Sequence, residues 1–197
     1  MTSVPVFAQE SSDIDLLKRI IEGDQTAATA LYQQHYQSVY GFVRMQIDDV
    51  GAIPEIVDDV FMAVFSSAAQ FKGQSAPKTW MLGIARNICH NWLRKMSREP
   101  VQQRDALPDE LANLVDQQWP VLDRIERDET RDIVRFCMDR LPIQQREALF
   151  WVYFEDMSID ETAQVLQCAA GTVKSRLFHA KSKMADCVHR RLAAAVT

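Results

Sequence analysis

The chain has 197 residues, 47% of them hydrophobic and 25% charged, with six glycines and seven prolines. These proportions fit one ordinary globular domain or two small ones, and they exclude fibrous and extensively disordered classes. The formal net charge of -5 does not by itself suggest a nucleic-acid partner, but the distribution of charge along the chain does. No apolar run is long enough to span a bilayer. Met1–Ser12 has no basic residue ahead of the short apolar run Val4–Ala8, so it does not read as a signal peptide, and a cytoplasmic location is expected.

In chain order, the pattern is helical throughout. Ser12 or Asp13 can cap a first helix with Leu16, Leu17, Ile20 and Ile21 on its apolar side. Gly23-Asp24 stops it and caps a second, where Ala27, Leu31, His35, Val39 and Val43 recur at helical spacing. Pro54 and Glu55 suit the first turn of a third helix, whose apolar stripe is Ile56, Val57, Val60, Phe61, Val64, Phe65 and Ala68. KGQSAP, residues 72–77, is a loop by composition, and a fourth helix is expected from about Lys78 to Met96.

Pro100, Pro108 and Pro120 then interrupt an acid-rich stretch, read as a flexible acidic linker with a short helix around Asp109–Gln118. Helical spacing returns at Arg124, with Ile133, Phe136, Cys137 and Leu141 on one helix, Pro142 in the turn, and Ala148, Leu149, Val152 and Tyr153 on the next. Ser158 and Glu161 have the spacing of a capping box. It opens a short helix with Ile159, Ala163 and Leu166 inward; a turn at Gln167–Gly171 leads to a last helix with Val173, Leu177, Ala180 and Met184 inward. The expected fold is all-α: two small helical domains, residues 13–96 and 124–197, joined by a linker over 97–123 and preceded by a tail over 1–12.

The segment Ser158–Lys181 has the parts of a helix-turn-helix. Its second helix offers Thr172, Lys174, Ser175, Arg176, His179 and Lys181 on the outer face, and Lys183, Arg190 and Arg191 extend the positive charge. Lys and Arg can meet phosphates or guanine acceptors, and Thr and Ser can donate to phosphates or base edges. The basic face alone reads equally well as a solvated helix surface; the capped helix before it favours DNA.

Charge is also segregated in the first domain. Between Met45 and Phe71 there is no Lys or Arg, but Asp48, Asp49, Glu55, Asp58 and Asp59 are present. Between Lys78 and Arg98 there is no Asp or Glu, but Lys78, Arg86, Arg94, Lys95 and Arg98 are present. An acidic helix suits a basic protein partner, and a basic helix with Trp80 and Trp92 suits unpaired bases. Core packing is the better reading of Trp92, and a functional role the better reading of Trp80.

The sequence LPIQQREALFWVYFEDMSIDETAQVLQCAAGTVKSRLFHAKSKM resembles the minus-35-reading domain of the extracytoplasmic-function sigma factors, above all at Leu141-Pro142, Arg146-Glu147, Ser158, Glu161, Ala163, Leu166 and Gly171–Leu177 (GTVKSRL). The family usually has Gly where Gln167 stands, so either Gln167 takes a strained turn conformation or the turn differs slightly. The segment Glu55–Phe65 is similar to the helix by which the family grips the largest polymerase subunit, which implies Glu55, Asp58, Asp59, Met62 and Phe65 in core-polymerase binding. Phe71–Ser75, Lys78–Met81, Ile84–Asn87 and Trp92–Lys95 are similar to the minus-10 reading and melting elements. That implies Lys72, Ser75, Lys78, Thr79, Trp80, Arg86, Asn87, Asn91, Arg94 and Lys95 at the minus-10 DNA, with the loop Phe71–Pro77 as the pocket for an extruded base. A plain surface connection is the alternative for that loop. The family often has Trp at Phe65 and Asp at Asn91; the latter, on the expected DNA side, points to a different promoter preference. The resemblance covers about Asp13 to Met184 and implies promoter DNA, the RNA polymerase core and an anti-sigma factor, in many members membrane-anchored, as partners. It also implies a linker that threads toward the polymerase active site, and a stress, envelope or metal-response regulon.

An enzyme is disfavoured, because there is no glycine-rich phosphate loop, nucleophile elbow or HExxH. No cofactor or metal is expected: His179, Cys187 and His189 match no zinc spacing. Cys89, Cys137, Cys168 and Cys187 form no CxxC pair and are expected as free thiols packed as small hydrophobes. A stand-alone helix-turn-helix regulator would explain Ser158–Lys181 but not the acidic and basic helices, and a purely structural helical adaptor would leave GTVKSRL unexplained.

Overall fold

A computed structural model describes residues 6–97 and 128–195 of the chain, which form two compact units. Among the described residues there are helices and turns and no strand. The linker expected over 97–123 lies, apart from Ser97, outside the described residues, as do the short helix around 109–118 and the helix start at Arg124.

The first unit contains α1 (Val6–Ile21), α2 (Gln25–Gln46), α3 (Ile53–Ser67) and α4 (Pro77–Met96). α2 is the hub, packing on α1, α3 and α4. Its stripe Ala27, Leu31, His35, Val39 and Val43 is buried throughout, as the spacing requires. Phe42, Val57, Phe61, Val64, Met81 and Leu82 complete the core, each worth about 1.5–3 kcal/mol of burial. Gly23 takes a positive φ of 90°, a conformation open to glycine at no steric cost, and Asp24 caps α2 by accepting from the N–H groups of Thr26 and Ala27. Pro54 sits in the first turn of α3, where its missing N–H costs nothing.

α1 differs from the expectation at both ends. It begins at Val6, so Asp13 is not a cap but lies inside the helix, buried. There its carboxylate meets His35 Nε2 at 2.9 Å and accepts from Gln34 Nε2. Leu16 and Leu17 are in the core, but Ile21 is 54% exposed, because the helix ends at that residue and the chain turns away.

The second unit contains α5 (Asp128–Asp139), α6 (Ile143–Leu149), α7 (Ile159–Val165) and the long α8 (Ala170–Ala195). Arg146, one of the motif residues, is buried and donates to the carbonyls of Asp139 and Leu141 at 3.3 Å, so it closes the C-terminus of α5. After α6 the chain widens into a π-helical turn, Phe150–Phe154, with Glu155 N–H donating to Phe150 C=O five residues back. The extra residue changes the register: Phe150 and Trp151 go into the core, Val152 is half-buried, and Tyr153 is exposed rather than inward.

The cysteines also depart from the expectation. Cys89 and Cys168 keep their thiols, but Cys137 on α5 and Cys187 on α8 are joined in a disulfide. Spacing rules for CxxC pairs see only neighbours in sequence; these two are 50 residues apart and meet because α5 packs along α8.

Candidate nucleic-acid and polymerase interfaces

The helix-turn-helix is built from local rules. Ser158 Oγ accepts from Glu161 N–H and the Glu161 carboxylate accepts from Ser158 N–H, completing the capping box of α7. These bonds hold the Glu161 carboxyl below its ordinary pKa. The turn that follows places Gln167 at φ 52°, the left-handed conformation that glycine would adopt without strain. α8 then begins, with Val173, Leu177 and Ala180 buried.

Thr172, Lys174, Ser175, His179 and Lys181 are all exposed along the first half of α8. At 100° per residue, Thr172, Ser175 and His179 share one side, and Lys174 and Lys181 stand on another. Arg176 is different: it is half-buried at the edge of the apolar stripe, with Nη1 donating to Cys168 Sγ at 3.7 Å across the turn. Lys181 Nζ lies 4.8 Å from the centre of the Tyr153 ring. Between the lysines and Ser175 stands Phe178, 71% exposed and edge-on to His179. The sequence reading passed over Phe178, although its signal was available: it is an apolar residue out of phase with Val173, Leu177 and Ala180.

In the first unit, Lys72 and Ser75 are exposed in the loop before α4, which turns at Gly73 with φ 66°. Trp80, half-buried, packs its ring 5.3 Å from Phe71, so the loop and the start of α4 are joined by aromatic contact. Trp80, Asn87, Asn91, Arg94 and Lys95 recur on one side of α4, opposite the buried Met81, Ala85 and Cys89. Asn91 Oδ1 accepts from Arg94 Nη2. Thr79 is half-buried on the flank, and Lys78 and Arg86 are half-buried toward the packed side, so the structure does not bring all ten expected residues onto one face. Trp92 is half-buried as well.

On α3, Glu55, Asp58, Asp59 and Met62 are exposed on one side with half-buried Phe65 beside them. Met62 is 66% exposed, a large apolar side chain on the same face as the three carboxylates. Asp58 is also tied to α2. Burial first, and then the Asp58 charge, hold the Tyr32 phenol above its usual pKa; burial and the same charge raise Tyr36.

Two family descriptions match this chain: sigma-70 region 2 over residues 31–99, and sigma-70 region 4 over residues 131–184. The chain belongs to the extracytoplasmic-function sigma factors. It is similar to the ECF RNA polymerase sigma factor SigM of Mycobacterium tuberculosis, with 28% identity over 89% of this chain and 84% of that one. The ECF sigma-E factor of Escherichia coli is also 28% identical, over 89% of this chain and 93% of its own length. In fold it resembles CnrH, solved in complex with the cytosolic domain of CnrY, at a TM-score of 0.60 and 19% identity over 91% of this chain and 98% of that one. This sigma factor is therefore an alternative specificity subunit of bacterial RNA polymerase and not an enzyme. Region 2 contains α3, the loop and α4; region 4 contains the helix-turn-helix.

Proposed function

We propose that this sigma factor docks on the polymerase core through the α3 face Glu55, Asp58, Asp59, Met62 and Phe65. The proposal extends to DNA: the loop Lys72–Ser75 with the α4 face Trp80, Asn87, Asn91, Arg94 and Lys95 takes the minus-10 DNA, and Thr172, Lys174, Ser175, Arg176, Phe178, His179 and Lys181 take the minus-35 DNA. The observation that carries this reading is the separation of faces: exposed acid with Met62 on α3, exposed base and amide on α4, and exposed base and hydroxyl on α8. Acid repels DNA phosphates and attracts a basic protein surface, whereas Lys, Arg, Asn and Ser are the groups that meet phosphates and base edges. Lys78, Thr79 and Arg86 act at the margin of the minus-10 surface, consistent with their half-buried positions.

The two DNA-reading units are proposed as separately folding domains, 13–96 and 124–197, with the acidic 97–123 segment passing toward the polymerase active site. The sigma factor acts in the cytoplasm, where the core enzyme is; no described helix is long and apolar enough to cross a membrane. An anti-sigma factor is proposed as its inhibitor, supported by a second fold relative, RpoE of Bartonella quintana, solved with the anti-sigma factor NepR at a TM-score of 0.60 and 18% identity. A stress, envelope or metal-response regulon is the proposed target.

Run-off transcription with purified core polymerase on a genomic promoter library tests the reading. Promoter-specific transcripts that depend on both the core enzyme and this chain are expected. DNA binding that needs no polymerase, with no transcript above that of the core alone, would point to a stand-alone regulator instead.

A further inference from the structure

The Cys137–Cys187 bond has no part in the DNA or polymerase faces. It joins α5 to the second half of α8, beyond the recognition residues, with Cα atoms 5.8 Å apart. The loop that it closes contains α6, the π-helical turn, α7 and the DNA-reading half of α8. Cys137 is buried and Cys187 half-buried, so Cys187 is the more accessible residue of the pair. Beside the bond, the Phe136 ring is stacked between two guanidinium groups, Arg140 at 3.9 Å and Arg191 at 3.5 Å. The seat of α5 on α8 is thus fixed by one covalent link and one cation–π contact at adjacent positions. We propose that Cys137 and Cys187 form a reversible thiol–disulfide site, oxidised by a low-molecular-weight disulfide and reduced by the corresponding thiol, that sets how firmly α5 is held on α8.

The chemistry balances with glutathione. In oxidation, the Cys187 thiolate attacks one sulfur of glutathione disulfide, whose S–S bond breaks, and one glutathione leaves as a thiol after taking a proton. The Cys137 thiolate then attacks Cys187 Sγ in the mixed disulfide and expels the second glutathione. Two protein thiols lose two electrons and two protons, and glutathione disulfide gains them. Reduction runs the other way and begins at Cys187 Sγ, on the less buried residue. The cellular meaning rests on the sigma-factor reading, which puts the chain among the thiols of the cytoplasm; the bond and its mechanical effect do not.

A cross-link over 50 residues favours the folded state by about a thousandfold in the chain-entropy limit, and measured gains are commonly smaller. Reduction should therefore loosen α5 and the far end of α8 and leave region 2 unchanged. The test uses the full chain equilibrated across glutathione redox ratios, with peptide mapping of alkylated cysteines and amide hydrogen exchange on the same samples. The expected result is a Cys137–Cys187 bond that forms and breaks with the ratio. Exchange in 128–139 and 186–195 should be at least tenfold faster in the reduced protein and in Cys187→Ser, with no change in 53–67. Two results would overturn the proposal: thiols that stay reduced in a large excess of glutathione disulfide, or equal exchange rates in the two states. Core-polymerase binding measured on both forms keeps the two readings apart. Its loss in both would count against the sigma reading, while a difference in exchange would still establish the redox site.

Discussion

Arg176 on the recognition helix donates to the thiol of Cys168 in the turn before it, 3.7 Å away. This contact holds the guanidinium near the N-terminal end of α8, where helix-turn-helix proteins meet base edges. Arg176→Ala should weaken minus-35 recognition by about 1–3 kcal/mol if the guanidinium makes a bidentate base contact. Binding to consensus and scrambled duplexes at several salt concentrations distinguishes the alternatives. Equal loss on both, with a shallower salt slope, identifies a phosphate contact; no loss removes Arg176 from the interface.

Phe178 offers a test that the basic residues cannot. It is 71% exposed, so Phe178→Ala should change stability by no more than about 0.5 kcal/mol. An aromatic ring on the groove side can pack on a thymine methyl group or a sugar. Promoter affinity of the holoenzyme should fall severalfold while the melting temperature holds. An unchanged affinity would leave Phe178 as a surface residue with some other partner.

On α3 the choice of substitutions follows from the packing. The Asp58 charge bears on the Tyr32 and Tyr36 phenols of α2, so reversing it would disturb α2 as well as the surface. Glu55 and Asp59 are exposed and are the cleaner pair. Glu55→Lys with Asp59→Lys should keep normal helicity, yet core-enzyme affinity and transcription should drop sharply, because opposed like charges cost several kcal/mol at an interface. Wild-type affinity in a folded double variant would move the docking face elsewhere.

The same comparisons show what could be read from the residues alone. The α2 stripe, the Asp24 cap and the Ser158–Glu161 capping box were all legible, because each depends on a few neighbouring side chains; at Gln167 the sequence left two turn geometries open, and the strained one is found. The π-helical turn was not: periodicity assumes 3.6 residues per turn, and one inserted residue moves Tyr153 from the inner to the outer side. The Cys137–Cys187 bond and the Asp13–His35 pair were hidden for a different reason, since both join residues far apart in sequence. Of the candidate faces, the α3 set and the outer residues of α4 and α8 lie together, whereas Lys78 and Arg86, taken from the family resemblance, fall toward the packed side of α4.

Acid should act through the helix caps. The Asp24 carboxyl, bonded first by the Thr26 hydroxyl and then by Arg19, lies well below its ordinary pKa, and Glu161 is lowered by Ser158. Both folded-state values are depressed, so their contribution is fully present above the unfolded values of about 4 and is lost as pH falls below them. Urea unfolding at stepped pH should show stability falling below about pH 4. Asp24→Asn keeps an N-cap acceptor but removes the charge, and should flatten the part of that fall that comes from the first unit. An unaltered acid profile in the variant would mean that other carboxylates govern it.

The charge pattern has a consequence for how this protein finds promoters. With a net charge of -5, the free chain is not a polycation, and its basic faces on α4 and α8 are local. Beyond a Debye length of about 8 Å in physiological salt, a DNA rod meets little net attraction from the free chain. Long-range capture and sliding, which need a surplus of positive charge, are then left to the assembled holoenzyme. The local basic faces act only after the protein has been delivered to within contact range, so an unassembled copy has little tendency to occupy the chromosome.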